Sequence, residues 1–307
     1  MPPVAFFGPA GTFAEEALLT QADLAARERV AIVGVPDVIA AVESGECEVG
    51  FIPIENSIEG SVSITLDTLA FESDVLLQRE VDLPISMGLF AKPGTKLGDI
   101  KQVLSFPIAA AQCRAFLRKR LPKASFVAAN STGEAAATVA RSKRTDQAAI
   151  GNPLAAELHG LQVLAREIAD HPDNQTRFVV VGRGIPAPTG HDKTTIVCFQ
   201  RADRPGSLLA MLQEFAARAI NLTKIESRPT KKSLGDYCFF IDFEGHVADE
   251  LVADCLRTIA AKVAHVKYLG SYPVAGADAH VRRNAATKAW RDAERWVAEL
   301  RAQVRED

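Results

Sequence analysis

Val4-Ala5-Phe6-Phe7-Gly8-Pro9-Ala10-Gly11-Thr12-Phe13-Ala14-Glu15 packs a strand, a turn and a helix start into its first twelve residues. Val4 to Phe7 is a short apolar run that Gly8-Pro9 stops. Thr12-Phe13-Ala14-Glu15 has the Thr-x-x-Glu form of a capping box, in which each side chain satisfies a free backbone N–H of the first turn. The same strand-then-helix unit recurs down the chain. Strands are predicted at Val30 to Val35, Val49 to Ile54, Val81 to Phe90 (interrupted by Pro84), Val103 to Leu104, Phe126 to Ala128, Ala148 to Ile150 and Val179 to Val181. Helices are predicted at Asp37 to Ser44, Ile64 to Ala70, Ile108 to Leu121 and Pro153 to His159. Ser131-Thr132-Gly133-Glu134 is a second capping-box form and opens a helix to about Arg141. Such alternation predicts an α/β domain of mostly parallel sheets with helices on both faces.

The composition fits that reading. A chain of 307 residues suggests about two domains. With 48% hydrophobic and 24% charged residues it has the balance of a soluble globular protein. A formal net charge of -3 gives no basic excess for nucleic acid. Five cysteines without a C-x-x-C pair argue against a disulfide framework and a zinc site. No apolar run approaches the ~20 residues that span a bilayer, and Glu15 and Glu16 come too early for a secretory leader. The expectation is a cytoplasmic protein that binds neither membrane nor nucleic acid.

Gly184-Ile185-Pro186-Ala187-Pro188-Thr189-Gly190 has the composition of a domain boundary. Beyond it the order is βαββαβ: a strand at Thr194 to Gln200, a helix at Ser207 to Ala219 and strands at Leu222 to Arg228 and Tyr237 to Phe243. A helix at Val247 to Val263 and a strand at Val266 to Ser271 complete it. This is the ferredoxin-like pattern. In the tail, Ala286, Trp290, Ala293, Val297, Leu300 and Val304 form a helical apolar stripe that must pack on the body or on another subunit.

Thr12, Ser57, Ser105 and Ser131-Thr132 each follow a strand and stand at or near a helix start, with Asn56 and Arg177 at strand edges. Ligands of open α/β sheets bind beyond the carboxyl ends of the strands, where helix N-termini favour anions. Ser and Thr also cap helices where no ligand is near, so any one of these positions has a purely structural reading. Gly8 to Thr12 lacks both the Walker Gly-Lys-Ser/Thr and the G-x-G-x-x-G pattern. The six histidines are not at metal-ligand spacing, and no G-x-S-x-G elbow is present.

Phe7-Gly8-Pro9-Ala10-Gly11-Thr12-Phe13, Pro53-Ile54-Glu55-Asn56-Ser57 and Thr176-Arg177-Phe178 resemble, in order, the three signature motifs of prephenate dehydratases. Ser105 to Leu117, with Gln112-Cys113-Arg114, and Asn130 to Ala136 are similar to two intermediate motifs of that family. Asp203 to Leu209 and Ile225-Glu226-Ser227-Arg228-Pro229 resemble the amino-acid-binding ACT domain that follows its catalytic domain. The resemblance covers nearly all of Val4 to Tyr272. Phe106, Ile108, Asn130, Gly133 and Ser207 depart from the usual family residues, outside the three strongest motifs.

The resemblance implies a two-lobed, periplasmic-binding-protein-like catalytic domain at 1–183, a linker at 184–193, an ACT domain at 194–273 and a tail at 274–307. It implies conversion of prephenate to phenylpyruvate, water and carbon dioxide, with feedback by L-phenylalanine. Such a reaction requires no cofactor and no metal. Thr176, Arg177, Asn56 and Ser57 are the implied catalytic residues: Thr176 donates to the departing hydroxyl and Arg177 grips a carboxylate. Thr12, Glu55, Ser105, Gln112, Ser131, Thr132 and Phe178 are the implied substrate contacts, although Glu55 reads by itself as a loop-stabilising carboxylate. Gly206, Ser207, Leu208, Leu209, Asn221, Leu222, Glu226, Ser227, Arg228 and Pro229 are the implied phenylalanine site. The implied assembly is a homo-oligomer, dimer or tetramer, built through the ACT domain. An arogenate dehydratase and a non-catalytic two-lobed binding protein for small anions remain as alternatives.

Overall fold

The computed structural model describes residues 1–200, 205–232, 235–275, 295–297, 299–300 and 302–303. They form two compact units, one of Met1–Leu76 and Glu80–Gly184 and the other of Leu77–Arg79 and the residues from Ile185 onward.

The first unit holds two sheets. One contains β1 (Val4–Phe7), β2 (Arg29–Ile32), β3 (Val49–Asn56), β4 (Gly60–Ser61) and β5 (Leu76–Pro84). The other contains β6 (Gly88–Ala91), β7 (Gln102–Ser105), β8 (Ser125–Ala128), β9 (Gln147–Gly151) and β10 (Gln162–Ala165), in the order β10-β6-β9-β7-β8. The chain then returns to the first sheet as β11 (Gln175–Gly182), giving the order β2-β1-β3-β11-β5 with β4 beside β3. The second lobe is therefore an insertion in the first, and the chain crosses between them twice. The crossings are bonded to each other: Ile85 N–H to Asn174 O at 2.8 Å and Ile168 N–H to Met87 O at 2.9 Å.

Helices α1 (Phe13–Leu19), α2 (Ala22–Ala25), α3 (Val35–Glu43) and α4 (Ser63–Phe71) belong to the first lobe. In the second are α5 (Pro107–Ala111), α6 (Arg114–Arg120), α7 (Thr132–Arg141) and α8 (Pro153–Leu158). A single apolar cluster includes Phe6, Phe51 and Phe178 of the first sheet and Leu89, Ala148 and Ile150 of the second. Phe51 and Phe178 stack with centroids 5.4 Å apart. Burying each such ring is worth about 1.5–3 kcal/mol.

Three expectations need correction. The sheets are mixed rather than mostly parallel: β1 pairs parallel with β2 and β3, and β7 with β8 and β9, but β3–β11, β6–β9 and β10–β6 are antiparallel. Strands beside the crossings run back against the lobe they rejoin. The extended run at Val81 to Phe90 is two strands, parted at the first crossing. The predicted helix at Ile108 to Leu121 is also split, into α5 and α6. The Gln112 carbonyl, which a continuous helix would use, instead accepts the Asp170 N–H at 2.6 Å. The Asp170 carboxylate then accepts the Ala115 N–H at 3.0 Å, capping the new start.

The second unit has the expected βαββαβ order: β12 (Asp192–Gln200), α9 (Ser207–Ala216), β13 (Leu222–Pro229), β14 (Tyr237–Glu244), α10 (Glu250–Thr258) and β15 (Ala264–Pro273). Its antiparallel sheet runs β13-β14-β12-β15. Met211 and Phe215 of α9 are buried, and Phe215 meets Phe243 at 5.0 Å. Helix α10 starts later than predicted. His246 N–H donates to Asp249 Oδ2 at 2.8 Å and Ala248 N–H to His246 Nδ1 at 3.0 Å, so these residues form a turn. Of the tail stripe, Val297 and Leu300 are helical and exposed; Ala286, Trp290, Ala293 and Val304 lie outside the described residues.

Candidate active site

The site begins where β11 enters the first sheet. Antiparallel pairing sets Thr176 opposite Asn56 and Arg177 opposite Glu55. Two motifs some 120 residues apart thus become one patch at the carboxyl end of β3.

Asn56 is fixed first. Its Oδ1 accepts the backbone N–H groups of Ile58 at 3.0 Å and Glu59 at 3.1 Å. That orients its Nδ2, which donates to Thr176 Oγ1 at 2.8 Å, Asn174 Oδ1 at 2.8 Å and Gln175 O at 3.2 Å. Among the described residues the Thr176 hydroxyl accepts from Asn56 and donates to no protein group. Ser57 Oγ donates to Asn174 Oδ1 at 3.2 Å and accepts Gln175 N–H at 3.0 Å. Asn174 Nδ2 donates to Gln112 Oε1 at 3.0 Å, and Gln112 Nε2 to Glu59 Oε1 at 2.9 Å.

Arg177 forks between two carboxylates. Its Nη2 pairs with Glu55, and its Nη1 lies 3.3 Å from Glu80. The side chain of Glu80 is only 3% exposed, against 32% for Glu55. Both terminal nitrogens are therefore engaged within the protein.

The remaining residues predicted for the site fall into two groups. Ser131 caps α7, accepting Glu134 N–H at 3.0 Å, while the Glu134 carboxylate takes Asn130 N–H at 2.8 Å. Thr132 is buried at the first turn of α7. This turn approaches the Gly8–Thr12 loop closely: a Cβ on Gly133 would stand 2.5 Å from Ala10 O. Thr12 does not cap α1 with its side chain; its hydroxyl donates to Phe7 O at 3.2 Å, and Glu15 takes the Gly11 N–H at 2.7 Å. Ser105 is fully buried and donates to Ile150 O at 3.0 Å. Phe178 is a core residue stacked on Phe51 and is not brought to the patch.

A second tie between the lobes was also missed. Asn152, fully buried, caps α8 through Ala155 N–H at 2.9 Å and donates to Glu16 Oε2 at 2.8 Å. Burial pushes the Glu16 carboxyl above the ordinary glutamate value, and the Asn152 bond pulls partly the other way. Burial likewise holds the Cys113 thiol neutral, with a pKa of about 12. No cluster of three or more His, Cys, Asp or Glu side chains suited to a metal occurs among the described residues.

In the second unit, Gly206 takes a left-handed φ of 85° ahead of α9. Ser207 and Leu208 are half-buried and Leu209 is exposed. Asp203, at the start of that predicted loop, lies outside the described residues. Leu222 packs against the core. Asn221 donates to Glu244 at 3.0 Å, and Glu226 pairs with Lys224 at 3.4 Å and Arg228 at 4.0 Å. Ser227 and Pro229 are exposed on β13, an outer strand of the sheet.

The family profile of prephenate dehydratases matches residues 4–185, and that of ACT domains residues 194–261. The chain belongs to the prephenate dehydratase family. Membership makes it a lyase, with an ACT domain after the dehydratase domain. A prephenate dehydratase of Mycolicibacterium vanbaalenii is 42% identical over 288 residues, covering 89% of this chain and 91% of that one. The crystal structure of a prephenate dehydratase from Arthrobacter aurescens in complex with L-Phe superposes with a TM-score of 0.87. That protein is 39% identical over 97% of this chain and 99% of its own. A structure described as GqqA, a quorum-quenching acylase, superposes at 0.80 with 28% identity, over 89% of this dehydratase chain and 98% of its own. Among the described residues no helix is long and apolar enough to cross a membrane.

Proposed function

We propose that this chain converts prephenate to phenylpyruvate with loss of water and carbon dioxide, on the way to L-phenylalanine, and that L-phenylalanine feeds back on it through the ACT domain. In the reaction the bond from the ring to its carboxylate breaks. Its electron pair enters the ring and expels the hydroxyl across the diene, and that hydroxyl leaves as water with one added proton. Aromatisation drives the step, so the protein has to orient the dianion and stabilise the leaving group.

The observation that carries this reading is the Thr176 hydroxyl. Asn56 fills one of its acceptor positions, and its hydrogen has no protein acceptor among the described residues. A hydroxyl held this way can donate to the departing oxygen. Asn56 holds it and Ser57 fixes Asn174 and Gln175 beside it. Ser131 and Thr132 supply neutral donors to the substrate, Thr12 ties its loop to Phe7 O, and Ser105 and Phe178 support the strands beneath. Arg177 binds a substrate carboxylate by exchanging the more exposed Glu55 for it while Glu80 stays in place. An acylase mechanism would need a base on Thr176, whose bonded neighbour is an amide donor.

Feedback is supported by the L-Phe complex of the Arthrobacter aurescens relative and by the ACT match. Gly206 to Leu209 and Asn221 to Pro229 form the effector site. The enzyme works in the cytoplasm as a homo-oligomer joined through its ACT sheet.

Turnover of prephenate, followed by phenylpyruvate absorbance, tests the activity, with arogenate as the competing substrate. Preference for arogenate would correct the substrate, and no product from either would overturn the reading. Calorimetry with L-phenylalanine on the full chain and on one ending at Gly184 tests the regulation. Binding retained by the shorter chain would remove the effector site from the ACT domain.

A further inference from the structure

Four side chains on three separate stretches close a ring of hydrogen bonds. Glu59 N–H donates to Asn56 Oδ1 at 3.1 Å, and Asn56 Nδ2 to Asn174 Oδ1 at 2.8 Å. Asn174 Nδ2 donates to Gln112 Oε1 at 3.0 Å, and Gln112 Nε2 returns to the Glu59 carboxylate at 2.9 Å. Every amide has one orientation that satisfies its neighbours. The Asn56 carbonyl is held by two backbone N–H groups, so its NH2 must face Asn174 and Thr176. Asn174 then accepts from Asn56 and Ser57 and must donate to Gln112. The last donor needs an acceptor, and a carboxylate is there. Hydrogen bonds in such a chain polarise one another.

The ring also spans the two lobes. Asn56 ends β3 and Glu59 follows it in the first, Asn174 is on the returning crossing and 2% exposed, and Gln112 stands between α5 and α6 in the second. We propose that Asn174 and Glu59 are positioning residues that make the orientation of the Thr176 hydroxyl depend on contact between the lobes, with Gln112 as the contact. This rests on the role given above to Thr176. Asn174 and Glu59 need not touch the substrate; they fix the Asn56 amide that holds the hydroxyl.

The test is a set of double-mutant cycles with prephenate as substrate. Glu59 is exposed, so Glu59→Ala should leave the thermal midpoint unchanged. It should lower kcat by roughly three- to thirtyfold with little change in KM. Glu59→Gln, which keeps an acceptor, should recover most of the loss. Asn174→Asp keeps the acceptor for Asn56 but cannot donate to Gln112, and it should lower kcat at least as far. In a Thr176→Val background neither substitution should lower kcat further. Losses that multiply with Thr176→Val, or that fall on KM alone, would overturn the relay. A Thr176→Val enzyme with wild-type turnover would instead remove the assigned role of Thr176, a separate failure.

Discussion

Asn152 does two jobs with one amide, and its substitutions can separate them. Its carbonyl caps α8 and its NH2 holds Glu16 in the other lobe. Loss of a cap costs about 1 kcal/mol, and loss of a bond to a charged acceptor about 1.5–3 kcal/mol. Asn152→Ala removes both, so the first unit should lose about 2.5–4 kcal/mol, or roughly 5–15 °C in thermal midpoint. Asn152→Asp keeps an acceptor for Ala155 N–H but sets a second carboxylate against Glu16. The Glu16 carboxyl is already raised by burial. A raised carboxyl adds stability below its unfolded value and loses it as pH rises through its folded value. The aspartate variant should therefore be damaged most at neutral and alkaline pH. It should recover between neutrality and the ordinary glutamate range, where Glu16 takes a proton and can donate to the new carboxylate. The alanine variant should recover much less. Scanning calorimetry from pH 4 to pH 8 follows both. Parallel pH profiles for the two variants would refute the argument that charge, rather than lost packing, sets the cost.

Glu16→Gln keeps an acceptor for Asn152 and abolishes the buried charge, so it should raise the thermal midpoint at pH 8 by an amount that shrinks towards pH 4. Thr176→Val should leave the midpoint within about 3 °C, because Asn56 retains Asn174 and Gln175 as acceptors. The same change should lower kcat by about 10²–10³-fold; turnover within a factor of three of wild type would defeat it. Arg177→Lys keeps the charge but cannot bridge two carboxylates, so KM for prephenate should rise about tenfold or more, measured by initial rates. Cys113, Cys198 and Cys255 are buried and have pKa values pushed up to about 12, so a thiol reagent at pH 8 should label them only after unfolding.

Features set by neighbours in sequence were legible. Ser131 became the cap of α7, with Glu134 reaching the Asn130 N–H one residue further back, while at Thr12 only the acidic half formed, Glu15 taking the Gly11 N–H. The βαββαβ order of the second unit matched strand for strand. What escaped was decided across long separations. Nothing between Ile108 and Leu121 disfavours a helix; the break comes from Asp170, which claims one carbonyl and caps the next turn. Asn174 carries no motif of its own in the sequence, yet it joins Asn56, Ser57 and Gln112. The second partner of Arg177 could not be read from the sequence because Glu80 is 97 residues away. The mixed sheets were hidden for a related reason: apolar runs give a strand's place but not its direction.

Strand β11 lies between β3 and β5, both of which precede it, and 88–165 intervene. During synthesis the whole second sheet can emerge before the first has the strand that links β3 to β5. β5 must wait beside a gap until residues 175–182 leave the ribosome. The same late segment carries Thr176 and Arg177, so no partly made chain can assemble the patch around Thr176 before the scaffold is closed. Chains cut short before Gln175 should therefore show an unpaired β3 edge, a natural mark for chaperones and proteases.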